Sequence, residues 1–352
     1  MKMFTKLVLV SSMAISANAM AMQSMDDAAL SAATGQDGIN IGLGISKVEI
    51  EKVLIHDNDG LTLVGTPGNP AATPPTSASA DYNGGTGTAG AIVISGNGIS
   101  GDVNETKGIV ISANTNALLA TGNLADLVID TDAGTGTNGA FLNVAANVSG
   151  LNINIGKISV AKSGTASTTS IRRGAVAGSE NAILSGLSLT TGTMAANIQL
   201  GAAPQGAMIK LNTTMTGGLE IKNLGILDNS TALGTKDGSS AANRAAGEIH
   251  LDSIKVADVN SKDLKVDAEI SVVGKSGSTN ASAGYLQIVG GKSAQDIYIS
   301  GVYLGSKNGG SATTRGTNAI GDIEVQGLQT YYNPTHTAGG DVKGAAITIS
   351  GH

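Results

Sequence analysis

Apolar residues along this chain alternate with polar or glycine residues over short stretches, which is the period of a β-strand with one buried face. The first clear stretch is Ile39, Ile41, Leu43 and Ile45, with Asn or Gly at each position between them. The pattern predicts a strand whose second face carries little side-chain bulk, so that another backbone can approach that face closely.

A longer pattern recurs, in which two alternating apolar pairs are separated by a two-residue break. Full copies begin at Leu43, Ile153, Leu219, Ile249 and Ile297, and a shortened copy begins at Ile323. On a helix these apolar positions would fall on no common face, so the pattern indicates two short strand segments. A bulge or corner at the break would return the second segment to the same buried side.

Stretches rich in Gly, Ser, Thr and Ala separate the apolar segments, and we expect them to be loops. They are 65–90, 131–139, 161–180, 228–246, 274–284, 305–321 and 333–344. Apolar segments restart at nearly regular intervals after Gly206, Gly247, Gly284 and Gly321, which favours stacked units. The sequence therefore predicts an all-β fold of repeated short strand pairs, stacked either as an elongated solenoid or β-helix, or as a sandwich-like array.

The N-terminus predicts export. Lys2 and Lys6 precede the apolar run 7–10, and small residues suited to cleavage follow up to Ala21, the order of a secretory signal peptide. A short helix is predicted after Ser24, where Asp27 completes a capping box. We divide the chain into a signal peptide (1–21), an N-terminal helix and strands (22–64), a flexible loop (65–90) and a repetitive β domain (91–352).

The composition and charge of the chain narrow the range of functions that it can have. The net charge is −6 and no Lys/Arg cluster offsets it, so nucleic acid is not an expected partner. Cysteine is absent, which excludes disulfides and thiol chemistry. With 50 glycines, six tyrosines, two phenylalanines and no tryptophan, the chain must build its core from small aliphatic side chains. No segment of the mature chain is apolar for long enough to predict a membrane-spanning helix.

Motifs that could carry chemistry are weak. The glycines of 96–101 match a dinucleotide fingerprint, but no helical pattern follows them, and the glycine–lysine pairs at Lys275 and Lys292 lack the rest of a phosphate loop. The turn at 56–60 offers Asp57, Asn58 and Asp59 as oxygen ligands without the distal glutamate of an EF-hand, which leaves calcium binding open.

Histidines and carboxylates give no better signal. The four histidines lie far apart in the sequence, and His250, between two apolar strand residues, is expected to face solvent. Carboxylates are denser between Asp252 and Glu269, where they read as the polar face of a strand. We predict no catalytic, cofactor or metal site.

The segment MDDAALSAATGQDGI, Met25 to Ile39, directly after the signal peptide, carries a resemblance. It is similar to the start of the FilA-like family, exported proteins of Acinetobacter and its relatives that are regarded as pilus assembly proteins. The resemblance implies a role in surface filaments and brings no catalytic residues with it.

We therefore expect a structural or adhesive protein of the periplasm or cell surface, associated with pilus or fimbrial assembly. Its partners would be other surface subunits or further copies of itself. The alternative is a secreted β-helix enzyme that acts on polysaccharide. Two uncharged alternating segments near the ends of the chain are candidate edges for strand addition: Ile39, Ile41, Leu43 and Ile45 at the start, and Ile347 and Ile349 at the finish.

Overall fold

The computed structural model describes residues 38–68, 72, 76–228, 247–274, 284–307, 319–334 and 339–350. Over these residues the chain is all-β and contains no helix, which confirms the all-β part of the prediction. The signal peptide predicted at 1–21 and the helix predicted after Ser24 lie outside the described residues.

Twenty-two strands are described. The first eleven are β1 (Ile39–Leu43), β2 (Lys47–Ile50), β3 (Val53–His56), β4 (Gly90–Ser95), β5 (Ile109–Ala113), β6 (Ala125–Asp132), β7 (Phe141–Val148), β8 (Leu151–Ile155), β9 (Lys157–Lys162), β10 (Asn181–Leu184) and β11 (Leu187–Thr190). The others are β12 (Met194–Gly201), β13 (Ile209–Met215), β14 (Leu219–Asp228), β15 (Gly247–Asp258), β16 (Leu264–Val273), β17 (Tyr285–Gly290), β18 (Gln295–Lys307), β19 (Gly321–Leu328), β20 (Tyr331–Tyr332), β21 (Val342–Lys343) and β22 (Ala345–Ile349).

The strands form two open sheets and a small hairpin, β20–β21. The eight-stranded sheet has the order β1-β6-β7-β12-β13-β16-β17-β22, and the twelve-stranded sheet runs from β2 and β3 at one edge to β19 at the other. Every pairing among the described strands is antiparallel. Because a β-helix stacks its strands in parallel, the array is a meander rather than a coil.

The chain crosses both sheets eight times, and we call each crossing a pass. The passes are 39–56, 90–132, 141–162, 181–201, 209–228, 247–273, 285–307 and 321–349. Within a pass the chain moves from one sheet into the other, in one case through Ser149 and Gly150 alone, between β7 and β8. Since the passes lie side by side in sequence order, each one adds to both sheets.

In the copies that begin at Ile153, Leu219, Ile249 and Ile297, the predicted two-residue break falls midway across the twelve-stranded sheet. It divides β8 from β9, whereas β14, β15 and β18 continue through it. In the first copy the predicted break at 46–47 lies instead where the chain passes from β1 into β2, and the corresponding division in the sheet, between β2 and β3, is at 51–52. Asn223 in β14 and Gly301 in β18 have left-handed backbone there, with φ of 56° and 63°. Both residues drop out of the ladder of paired residues, but the register is the same on either side of them. The neighbouring strands therefore share the break, and no bulge with an extra residue in one strand is needed there.

Aliphatic side chains line up in rows that cross the sheets from edge to edge. Row 1, in the eight-stranded sheet, joins Ile39, Ile129, Val144, Ile198, Ile209, Ile270, Ile288 and Ile347 through successive pairings. Row 2, in the twelve-stranded sheet, joins Val48, Ile111, Ile153, Leu189, Ile221, Ile254, Ile299 and Ile323. Such cross-strand aliphatic pairs supply the packing that aromatic residues cannot supply here.

None of the side chains in the two rows is fully buried. The buried cluster of the described residues consists of Ala91, Val93 and Ala161, with Leu54 and Ala175 against it. Ala175 belongs to the loop 163–180, so part of one face is covered by a loop and not by a second sheet. On the opposite face, Ile92 and Ile249 are more than two-fifths exposed.

The predicted loops fall between strands except for overlaps at their ends and for 333–344, which contains the short strand β21. The loop 65–90 has an arrangement of its own. Where it is described, it folds back on itself, since Asn83 N–H donates to the Val64 carbonyl and Ser79 N–H to that of Thr66. The Asn83 side chain also accepts from Val64 N–H at 2.9 Å. The strands on either side of it belong to the same sheet, because β3 pairs with β4 directly.

Candidate assembly interface

Strand β1 forms one edge of the eight-stranded sheet. Its inner side pairs with β6, so that Ile39 faces Ile129 and Ile41 faces Leu127. Ile39 is 60 % exposed. Leu43 ends the strand, and Ile45 lies in the connection 44–46 that leads into β2. Among the described strands none pairs with the outer side of β1.

Strand β22 forms the opposite edge of the same sheet. Ile347 pairs with Ile288 and Ile349 with Leu286, both on β17. Ile347 and Ile349 are more than half exposed. All the candidate edge residues except Ile45 therefore lie on the two terminal strands of one sheet. The structure puts these strands at opposite ends of the sheet and does not bring them together within one copy.

The twelve-stranded sheet has edges of its own, which sequence reasoning missed. They are β2 and β3 on the first pass and β19 on the last. A signal was present, because Val48, Ile50, Val53 and Ile55 repeat the apolar pattern across the break. The copy that we assigned from Leu43 to Ile50 instead runs from one sheet into the other.

The two edges of the twelve-stranded sheet differ in charge. On β2, Lys47 and Glu49 form an ion pair that lowers the pKa of the Glu49 carboxyl. On β19, Asp322 accepts hydrogen bonds from the Tyr298 hydroxyl at 2.6 Å and from Gly301 N–H at 2.9 Å, and these lower its pKa. Glu324 follows on the same face and adds a second negative charge.

A buried polar cluster lies on β15, and here the sequence prediction was wrong. His250 is 0 % exposed rather than solvated, and Glu248 beside it is also buried. His250 Nδ1 lies 3.7 Å from Glu248 Oε1, which also accepts a hydrogen bond from the Ser185 hydroxyl at 2.9 Å. Ile249, between them, faces the other way and is 45 % exposed.

Glycine makes room for this cluster. Gly225 on β14 pairs with His250, and a Cβ on it would lie 1.9 Å from Glu248 Oε1 and 2.1 Å from Ser185 Oγ. Gly301 likewise faces Asp252, whose Oδ2 would lie 2.0 Å from a Cβ there. The polar cluster and these two glycines are therefore mutually dependent.

A groove of about 490 Å³ on the twelve-stranded sheet gathers carboxylates, including Glu220, Asp296 and Glu324. Partial burial raises the pKa of Glu220, but the hydrogen bond from Lys222 and the charges of Lys222 and Lys255 outweigh it, so the pKa is lowered overall. Backbone N–H groups of Asn260 and Gly327 lower the pKa of Asp296.

Lys275 lies outside the described residues, and the other weak motifs lie in loops. The glycines of 96–101 belong to the connection between β4 and β5, with no helix after them. Lys292 is held by Asp267 and Glu269, which raise its pKa despite partial burial. Asn58 accepts from the Arg173 guanidinium at 2.7 Å, a positive neighbour unsuited to a calcium site. Over the described ranges, no three His, Asp or Glu residues are grouped as metal ligands.

Comparison with known proteins reaches only the N-terminal quarter of the chain. Residues 1–87 match a family of unknown function, DUF6160. No curated protein and no solved structure is significantly similar to the chain. Within the described residues, no helix is long and apolar enough to cross a membrane.

Proposed function

We propose that the protein is an exported structural or adhesive component of the bacterial cell surface, associated with pilus or fimbrial filaments. The observation that carries the proposal is that both large sheets are open. The outer sides of β1 and β22 have no strand partner among the described residues, and neither strand carries a charged residue or a proline. Monomeric β proteins usually protect such edges.

The N-terminus supports the same role. The signal-peptide pattern at 1–21 favours export. The resemblance of Met25 to Ile39 to FilA-like proteins suggests filament biogenesis. The thin aliphatic core and long rows of paired strands suit an elongated structural element that is extended by further strands.

The experiment is deletion of the gene followed by electron microscopy of the cell surface and an adhesion assay. We expect loss of a filament class or of adhesion, restored by the full chain. A matched control is the same gene without residues 1–21, which should restore neither because the product is not exported. A surface and adhesion that remain unchanged in the deletion strain would contradict the proposal.

A second measurement distinguishes an enzymatic role from the structural one. Purified protein is incubated with the surface polysaccharide of the same cells, and new reducing ends are counted. We expect none above the level of a heat-denatured sample. Release of reducing ends that Glu220→Gln abolishes would replace the structural proposal with the enzymatic alternative.

A further inference from the structure

We propose that copies of this chain join head to tail, with β22 of one copy pairing along β1 of the next and β19 pairing along β2. The partner at the open edges is thus a second copy of the chain. This inference rests on the proposed structural role and names the partner that the role requires.

Strand direction permits this joint. The eight-stranded sheet is antiparallel throughout and has an even number of strands, so β1 and β22 run in opposite directions. When β22 meets β1 of the next copy, the pairing is again antiparallel, so the alternation of strand direction continues across the joint. Each copy would extend the sheet by about 38 Å, eight strands at about 4.8 Å each.

Two aliphatic rows define one register for the joint. Row 1 begins at Ile39 and ends at Ile347, and row 2 begins at Val48 and ends at Ile323. Placing Ile347 opposite Ile39 of the next copy continues row 1. Since both rows cross the molecule from the first pass to the last, the same displacement continues row 2. Aliphatic pairs at such positions stabilise neighbouring strands.

Charge disfavours one of the symmetric joints, that between two copies of β19. In this register Glu324 lies opposite Lys47 of the next copy, whereas two copies of β19 in antiparallel contact would oppose Asp322 and Glu324. The register also brings Asp322 opposite Glu49. Each already has partners within its own copy, Tyr298 and Gly301 for Asp322 and Lys47 for Glu49.

The absence of cysteine allows a direct test of the register. Asn40 and Ala346 occupy one row on the face opposite row 1, so the proposed joint places them in direct cross-strand contact. A chain with Asn40→Cys and Ala346→Cys should give an oxidised ladder of dimers, trimers and longer species. Within one copy the two positions are about seven strand spacings apart, roughly 34 Å, which no disulfide bridges.

The matched control moves one cysteine by two residues. Asn40→Cys with Thr348→Cys keeps both thiols on that face but out of register by two positions, and we expect at least tenfold less cross-linking. Equal ladders from both pairs would overturn the register, as would a chain with both cysteines that stays monomeric. The single variant Asn40→Cys separates head-to-tail from symmetric joints, because efficient dimers from it alone would show that like edges meet.

Blocked edges give a second, independent readout by sedimentation velocity. Ile347→Lys with Ile349→Lys should stay monomeric, as should Ile39→Lys with Ile41→Lys, whereas a mixture of the two should form dimers and nothing longer. Ile249→Lys, at an exposed site away from the edges, should assemble as the unchanged chain does. Either edge variant dimerising by itself would overturn the head-to-tail joint.

These outcomes are separable from the proposed function. Suppose that the chain with Asn40→Cys and Ala346→Cys forms no cross-linked ladder, and yet the deletion strain lacks its filaments. The proposed joint is then wrong and the structural role stands. If the ladder forms in register and the deletion strain is normal, the joint stands and the surface role falls.

Discussion

His250 Nε2 lies 3.3 Å from Asp252 Oδ1, so the imidazole, which is completely buried, contacts a carboxylate that is nearly half exposed. The Tyr303 hydroxyl reaches the other oxygen of the same carboxylate at 3.3 Å. These contacts link His250 to Asp252 at the break in β15, and Asp252 to Tyr303 on the neighbouring strand β18.

We predict that His250→Ala lowers the free energy of unfolding by about 2–4 kcal/mol, because it leaves a cavity and removes the neighbour of a buried carboxylate. Ile249→Ala should cost about 1 kcal/mol, since that side chain is already half exposed. Urea denaturation of the two variants checks the ranking. If the isoleucine variant were the less stable one, the inward orientation of His250 would be wrong.

Gly225→Ala should destabilise the chain by about 1–3 kcal/mol through overpacking against Glu248 and Ser185. Gly274→Ala is the control, because a Cβ there meets nothing within 4 Å. Thermal melts of both variants measure the difference. The double variant Gly225→Ala with Ser185→Gly should recover part of the loss, since it removes one of the two close contacts.

Acid should loosen the edge strand β19. The pKa of Asp322 and that of Asp296 are depressed in the folded chain, by the hydrogen bonds from Tyr298 and Gly301 and from Asn260 and Gly327 respectively. Their stabilisation is therefore fully present above the unfolded value of about 3.9 and is lost as the pH falls through the lower folded values.

Hydrogen exchange of Gly321–Leu328, corrected for the intrinsic rate, should lose protection below about pH 4, while that of β7 changes less. Asp322→Asn should reduce this pH dependence, because the amide does not titrate. A protection factor in β19 that is the same at pH 6 and pH 3 would show that these carboxylates do not hold the edge.

Export predicts a processed N-terminus. We expect signal peptidase to cut after Ala19 or Ala21, so that the mature chain begins at Met20 or Met22. Edman sequencing or intact mass of protein from the cell surface checks this. A surface chain that still begins at Met1 would remove the argument for secretion by this route.

The all-β class and the approximate position of the loops were predictable, because alternating apolar and polar residues and glycine-rich stretches are local signals. The break at Asn223 was predictable in the same way. The burial of His250 was not, because the face that becomes covered depends on Ser185 and Gly225 from distant strands. The edges β2 and β19 were missed because a strand becomes an edge only through the order of pairing, which periodicity does not encode.

Each pass contributes to both sheets at once, and this arrangement bears on how such a chain changes length in evolution. Duplication or loss of two neighbouring passes would leave the first and last passes, and the direction of every strand, unaltered. A single pass gained or lost would reverse the terminal strand and change the kind of neighbour that it accepts. If copies join head to tail as proposed, selection favours homologues that differ in length by pairs of passes.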